Sequence, residues 1–384
     1  SIMKLVEMGK LSVEDPIDKY INIDIKPKGE KIRIWHLLTH SSGIPALAYA
    51  EALIDSFAYG EGLIFPFATP DDIIAFIRDS EDWAIAKPGE AFFYLNEGYV
   101  ILGKIISKVS GMSYEGFVRK HIFEPLGMRR TYFSREEVEK DPNVATPYVY
   151  KDNKLSRGAF PYGITADGGI LSNVLDLSKY VLMYLNEGKY NDTEIISKEL
   201  IREMFKPRIR LQYEIFGEES YGYGLSIYPK FPIGALIGHS GSVLVYTAYM
   251  GFVPERGLGV ILLANASGYP LSQMGMYALT TLAGENPENL PFIKFERTLK
   301  KLEGIYKAYK STITYKVRTE GGFIVLESRR KYSGYPTILV PDIVEDDLVR
   351  CYTIQYGRKI PAEFIIKDNR IELIYERYKL VKGL

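Results

Sequence analysis

Apolar positions recur at helical spacing through most of the first three-quarters of the chain and at strand spacing beyond residue 285, so the pattern by itself divides the sequence. Ile2, Leu5 and Val6 share one face of a helix over residues 1–8 that Gly9 ends. Thr69 is placed to cap a second helix, with Pro70 at its first position, Asp71 and Asp72 in its first turn, and Ile74 and Ile77 on its apolar face. Residues 95–109 predict an amphipathic helix closed near Gly111, Ser113 caps a short one reaching His121, and further helices are predicted over 174–185 and 197–205. Strand-like runs then occupy 223–228, 243–252 and 258–264, the last two joined by the turn Pro254-Glu255-Arg256-Gly257. A helix over 271–282 would close this unit against the sheet.

Gly284-Glu285-Asn286-Pro287-Glu288-Asn289-Leu290-Pro291 breaks the apolar pattern with polar residues and prolines, which predicts a linker over 285–296. Beyond it, short β-rich runs are separated by turn signals at Gly321-Gly322, Ser333-Gly334, Tyr356-Gly357 and Asp368-Asn369, and they predict a small antiparallel barrel or sandwich over 297–384. The fold class expected is α+β: an antiparallel sheet flanked by helices with a helical subdomain over 1–284, then a small β-barrel.

With 384 residues, 46% hydrophobic and 25% charged, the chain can bury ample core in two domains. Lys plus Arg and Asp plus Glu each number 48, so no global field favours nucleic acid or an anionic membrane, and a small molecule or peptide is the expected partner. No apolar run approaches the roughly 20 residues of a membrane helix, and no charged-then-apolar leader opens the sequence, so the expected location is cytoplasmic. Cys351 is alone, which excludes an intramolecular disulfide and a cysteine-built metal site. Gln occurs only at 212, 273 and 355, a composition that leans toward a thermophile.

Candidate chemistry lies in three short motifs. Ser1-Ile2-Met3-Lys4 sets a hydroxyl and an amine three residues apart, on one helical face. A second such tetrad, Ser328-Arg329-Arg330-Lys331, falls among predicted strands, where alternating side chains cannot stack a serine over a lysine. Tyr94-Leu95-Asn96 follows Pro88-Gly89-Glu90 and precedes a helix, so the phenol can project from a loop into a cleft, whereas Tyr20-Ile21-Asn22 and Tyr184-Leu185-Asn186 read as packing and helix capping. His239-Ser240-Gly241 introduces an apolar strand, with Gly241 leaving room for a substrate backbone. His36 and His40 stand at i and i+4, but Leu37 occupies the place of a general-base Glu and no third ligand is evident; both are expected to satisfy local backbone groups, and no metal or cofactor is expected.

Together and in this order, the motifs resemble the serine β-lactamase-like family of penicillin-binding proteins, class C β-lactamases, D-aminopeptidases and related esterases. Leu37-Leu38-Thr39-His40-Ser41-Ser42-Gly43-Ile44, Lys87-Pro88-Gly89-Glu90, Pro125-Leu126-Gly127-Met128 with Thr131, and Gly168-Gly169-Ile170-Leu171-Ser172 resemble its framework strings. The C-terminal domain is similar to the lipocalin-like barrel appended to some peptidase members. The resemblance implies an acyl-enzyme mechanism with Ser1 as nucleophile, Lys4 as its base, Tyr94 in the proton relay and His239 as a fourth catalytic residue, while Asn96, Ser240, Gly241 and Ser242 bind substrate and the Ser1 nitrogen and the Ser242 N–H, on an edge strand, serve the oxyanion. A free Ser1 amine beside Lys4 would disfavour a second positive charge there.

His239 stands where many relatives carry a lysine for a substrate carboxylate, which shifts the expectation toward a peptidase for short, D-residue-containing peptides. The alternatives are a carboxylesterase or weak β-lactamase of the same family, a non-catalytic peptide sensor, and an N-terminal-nucleophile hydrolase. Autocatalytic cleavage immediately before Ser1 is a further expectation, with the cleaved segment as a partner, and so is a homo-oligomer. Specificity is expected from the loop over 46–67.

Overall fold

Residues 1–59, 69–151, 154–159, 166–328, 335–368 and 370–383 are described by a computed structural model. Residues 329–331 of the second Ser-x-x-Lys tetrad, the Ser333-Gly334 turn signal, Asn369 and residues 60–67 of the expected specificity loop lie outside them. Two compact units cover Ser1–Asn286 and Pro287–Leu384.

In the first unit, α1 (Ile2–Glu7) buries Ile2, Met3 and Leu5 and ends before Gly9, which takes φ +67°. It packs against α2 (Asn96–Ser110), whose Val100, Ile101, Ile105 and Ile106 are buried and whose C-terminus is closed by Gly111 in the left-handed region. Thr69 caps its helix as its spacing predicts, accepting the Asp72 N–H while the Asp72 carboxylate takes the Thr69 N–H.

Alternation along the strands decides how the helices layer on the sheet. In chain order the six antiparallel strands are β1 (Ile209–Arg210), β2 (Ser220–Tyr221), β3 (Ser226–Tyr228), β4 (Leu236–Ser242), β5 (Thr247–Val253) and β6 (Leu258–Ala264), and sequence neighbours are sheet neighbours. A Cβ on Gly259 would meet Val181 at 2.7 Å, from α3 (Val174–Leu185), while Val260 stands 3.3 Å from where a Cβ on Gly275 would lie in α4 (Leu271–Leu282). Successive strand residues point to opposite faces, so α3 and α4 cover opposite faces of the sheet. Phe252, stacked on Tyr184 of α3, and Tyr249, against Gly275 of α4, obey the same alternation.

The expected strand over 243–252 is divided differently. His239, Ser240 and Gly241 lie inside β4, and residues 243–246 turn the chain back, with the Val243 N–H on the Tyr246 carbonyl and Leu244 at φ +60°. Apolar side chains there favour strand on propensity, and the pairing of β4 with β5 overrides them.

The second unit is an eight-stranded antiparallel barrel of consecutive strands, closed where Gly304–Lys307 pairs with Tyr378–Lys382. Much of the stretch predicted as linker over 285–296 is helical, because α5 (Pro291–Leu302) opens with Pro291 at its first turn and spaces Phe295, Leu299 and Leu302 along one face. Leu299 and Leu302 join Val317, Ile324, Leu339, Val349 and Phe364 in the barrel core.

Candidate active site

Three contacts to one histidine place Tyr94. The Phe93 N–H donates to the His40 carbonyl (2.8 Å), the Leu95 N–H donates to His40 Nδ1 (3.0 Å), and the Tyr94 ring stacks on the imidazole with centroids 3.9 Å apart. His40 stands at φ +53°, within a segment braced by the Thr39 and Ser41 hydroxyls (2.7 Å) and by the Gly89 N–H on the Ser41 carbonyl (2.7 Å). Gly43, at φ +85°, passes so close to the next segment that a Cβ would run into the Ala86 carbonyl oxygen. The strings at 39–44 and 87–90 therefore act as the frame of the tyrosine loop.

Since His40 Nδ1 accepts a backbone N–H, its proton sits on Nε2. Burial first, and His239 second, lower its pKa to about 3, so the ring is neutral at pH 7. His36 likewise accepts a backbone N–H, that of Arg33, at 2.9 Å.

Strand β4 supplies the opposite wall. β3 pairs with it only as far as Gly238, whereas β5 pairs with it through Ser242. β4 is therefore not the edge strand expected from the sequence, because β1 to β3 lie beyond it, yet the shortness of β3 leaves residues 239–242 paired on one side only. His239 Nδ1 lies 2.5 Å from the Ser240 carbonyl oxygen and Nε2 lies 2.8 Å from the Tyr221 hydroxyl. A carbonyl only accepts, so Nδ1 carries the proton and Nε2 accepts from Tyr221. Burial lowers the pKa of His239, opposed by the Ser240 contact, and the ring is neutral at pH 7.

Tyr94, Asn96, His239, Ser240, Gly241 and Ser242 line one cavity of about 1720 Å³. The Tyr94 and His239 rings stand 6.2 Å apart across it. A Cβ on Gly241 would meet only Ala248, at 4.0 Å, so space lies open along the strand. Although 40% of Tyr94 is exposed to that space, desolvation, with Asp167 and Glu51 adding to it, pushes the phenol up to about 12. It holds its proton at neutral pH and can donate or relay one.

Ser1 and Lys4 do not join this group. Ser1 lines a smaller cavity of about 290 Å³ whose walls include neither Tyr94 nor His239, although both cavities touch Tyr99, Tyr114 and Tyr180. Lys4 Nζ donates to Glu7 Oε2 (2.6 Å) and to the Ile195 carbonyl (2.7 Å), and Glu7 Oε1 takes the Ser197 N–H (2.7 Å). Ser1 is the N-cap of α1, one residue outside the helix, and the long flexible Lys4 ammonium goes to a carboxylate and a carbonyl in preference to a hydroxyl.

Sequence reasoning missed Tyr221, which holds His239, and the part of His40 in placing Tyr94. Their signals were the alternating Tyr221-Gly222-Tyr223-Gly224 and the framework string that contains His40. Among the described residues no group of three or more His, Cys, Asp or Glu could hold a metal ion.

The family model described as Beta-lactamase matches residues 1–284, and that described as the Pab87 octamerisation domain matches residues 287–381. Penicillin-binding protein 4* of Bacillus subtilis (strain 168) is 31% identical over 279 residues, 69% of this chain and 57% of that protein. The putative penicillin-binding protein PbpX of the same organism is 30% identical over 234 residues, 60% of this chain and 50% of its own length. The chain thus spans about half the length of these curated relatives. Among solved structures, the octameric penicillin-binding protein homologue from Pyrococcus abyssi superimposes with a TM-score of 0.90 at 54% identity, over 99% of this chain and 85% of that one. A D-stereospecific amidohydrolase from Streptomyces sp., at 22% identity and a TM-score of 0.61 over 72% of this chain and 82% of its own, shares the fold.

Proposed function

From the premise that this chain belongs to the Beta-lactamase family, a family of serine hydrolases, we propose that it hydrolyses short peptides and related amides, with the substrate backbone laid along residues 239–242 and Tyr94 relaying the proton. The observation that carries this reading is the open backbone edge of β4 facing a protonated phenol across one large cavity. Backbone groups left unpaired on a strand are a ready template for an extended peptide. Gly241 keeps that edge accessible, and Asn96, at the start of α2, offers its amide to the same space.

A carboxylate-binding role finds less support. His239 is neutral with both ring nitrogens engaged, and Arg130, the cavity-lining Lys or Arg among the described residues, is paired with Asp141. This favours an amidase or aminopeptidase over removal of a C-terminal residue. A nucleophile must come within about 2.6–3.2 Å of the group that takes its proton; Ser1, in the adjoining cavity, is not so placed, and cleavage before Ser1 loses its geometric support with it.

A hydrolysis panel of L- and D-amino-acid amides, short peptides and simple esters tests the reading. Tyr94→Phe is expected to lower kcat by about 100-fold or more, and Ser1→Ala to leave it within about threefold. An equal collapse in Ser1→Ala would return the nucleophile's role to Ser1. No turnover of any substrate by the wild-type chain would favour the sensor. The octamerisation-domain match and the octameric state of the Pyrococcus abyssi homologue support self-association through the barrel.

A further inference from the structure

Alternation along β4 decides what its open stretch offers a ligand. The Val243 N–H donates to the Tyr246 carbonyl, and the β4–β5 register runs back from there without a shift, so Gly241 and His239 turn their N–H and C=O groups toward β5. Gly238 turns the other way, where Ser226 of β3 lies opposite it. Ser240 and Ser242 turn to that same side, past the end of β3, and both are exposed. These two residues therefore face an extended substrate, but they are not equivalent. His239 Nδ1 carries its proton 2.5 Å from the Ser240 carbonyl oxygen, so that acceptor is already in use. The imidazole is pinned from behind, because Nε2 accepts the Tyr221 hydroxyl at 2.8 Å. Tyr221 is 2% exposed and its ring packs against those of His40 and Phe92, with centroids 5.2 and 5.3 Å away.

We propose that His239, pinned by Tyr221, caps the Ser240 carbonyl and so restricts the substrate to one that pairs with β4 through Ser242 alone: an amino-acid amide, or a peptide that ends close to that position. An extended chain presents its backbone polar groups to a neighbouring edge at every second residue. One laid against Ser242 brings its next such N–H to Ser240, where the carbonyl is bonded to the imidazole. An N–H buried there without a partner is unfavourable, whereas ordinary pairing would be favourable. His239 is thus a specificity-determining residue and Tyr221 a positioning residue that acts through it. The inference deepens the hydrolase reading and rests on it for turnover, but not for binding of a peptide to the edge.

Unblocked alanine peptide amides, from the single residue to the pentapeptide and lengthened at either end, test the restriction by turnover and by calorimetric binding to the full chain. In the wild type, lengthening past Ser242 toward Ser240 is expected to leave kcat/KM and Kd within about twofold. His239→Ala frees the Ser240 carbonyl, and the peptide two residues longer should then gain about fivefold over the shorter one. Tyr221→Phe removes the hydroxyl and keeps the ring, so it should give a smaller gain in the same direction. Solid-state 15N spectra of histidine-labelled protein should show His239 protonated at Nδ1 in the wild type and a mixture of tautomers in Tyr221→Phe. Should His239→Ala fail to fold, Tyr221→Phe decides alone. A wild type that gains steadily with length, or variants with the wild-type length profile, overturn the proposal. The two readings fail separately: turnover that rises with length in the wild type sinks the restriction and leaves the hydrolase, whereas the expected binding profile without any turnover sinks the hydrolase and leaves the restriction.

Discussion

Tyr94 owes its position to His40, and His40 owes its protonation state to burial. In the folded chain His40 is neutral down to about 3, while the unfolded chain would protonate it near 6.5. A depressed pKa of this kind contributes stability that is fully present above about 6.5 and lost as pH falls from there toward 3. His36, lowered to about 4 by burial and then Arg33, acts in the same direction over the same window. Thermal unfolding between pH 7 and 4 should therefore show a falling Tm, less steep in His40→Asn, whose side-chain oxygen can still accept the Leu95 N–H and whose backbone tolerates positive φ. Identical slopes in the two proteins would remove His40 from the account. That variant also loses the ring on which Tyr94 stacks, so its kcat should fall about tenfold at pH 7, where both imidazoles are already neutral. Sequence spacing flagged Tyr94 and His239 because each sits in a recognisable triplet. It could not flag the contact of His40 Nδ1 with an N–H 55 residues away, since nothing in a linear string records that approach.

At the scale of elements, α1 shows where periodicity succeeds and where it stops. Its apolar face was legible, and Ile2, Met3 and Leu5 are buried. The partner of Lys4 was not, because a lysine on a six-residue helix can swing toward either end, and the segment at 195–197 that attracts it is distant in sequence. Lys4→Ala is accordingly expected to lower stability by about 0.5–1 kcal/mol while leaving hydrolysis within about threefold; denaturant unfolding and kinetics on one preparation check both. Gly43→Ala acts on the frame: a methyl group has no room beside Ala86 at φ +85°, so a loss of about 1–3 kcal/mol should accompany a lower kcat as the tyrosine loop shifts. Unchanged stability would mean that the close approach to Ala86 relaxes at no cost. α5 carried its own signal in the Phe295, Leu299, Leu302 spacing, masked by the neighbouring prolines and Asn residues that suggest a linker.

For the whole molecule, the barrel is the part with the most surface left to explain. Its Ile338 and Ile354 are 55% and 65% exposed, on two neighbouring strands whose pairing sets Val340 opposite Tyr352. Such an apolar pair on adjacent strands suits contact between copies. The full chain should sediment as a large homo-oligomer, and the double substitution Ile338→Lys with Ile354→Lys should shift it to smaller species without altering its circular dichroism. An unchanged sedimentation coefficient would move the contact elsewhere on the barrel. No helix among the described residues is long and apolar enough to cross a membrane. The sequence by itself determined what local chemistry can determine: helix ends from caps and glycines, the change from helical to strand periodicity near residue 285, and the strings that resemble a hydrolase family. Only the tertiary structure decided which groups share a cavity, that β4 is interior in its sheet yet half open, and that Ser1 and Lys4 face elsewhere. Periodicity specifies a face of one element, whereas a site is the meeting of faces from elements far apart in the chain, and that meeting is settled by packing.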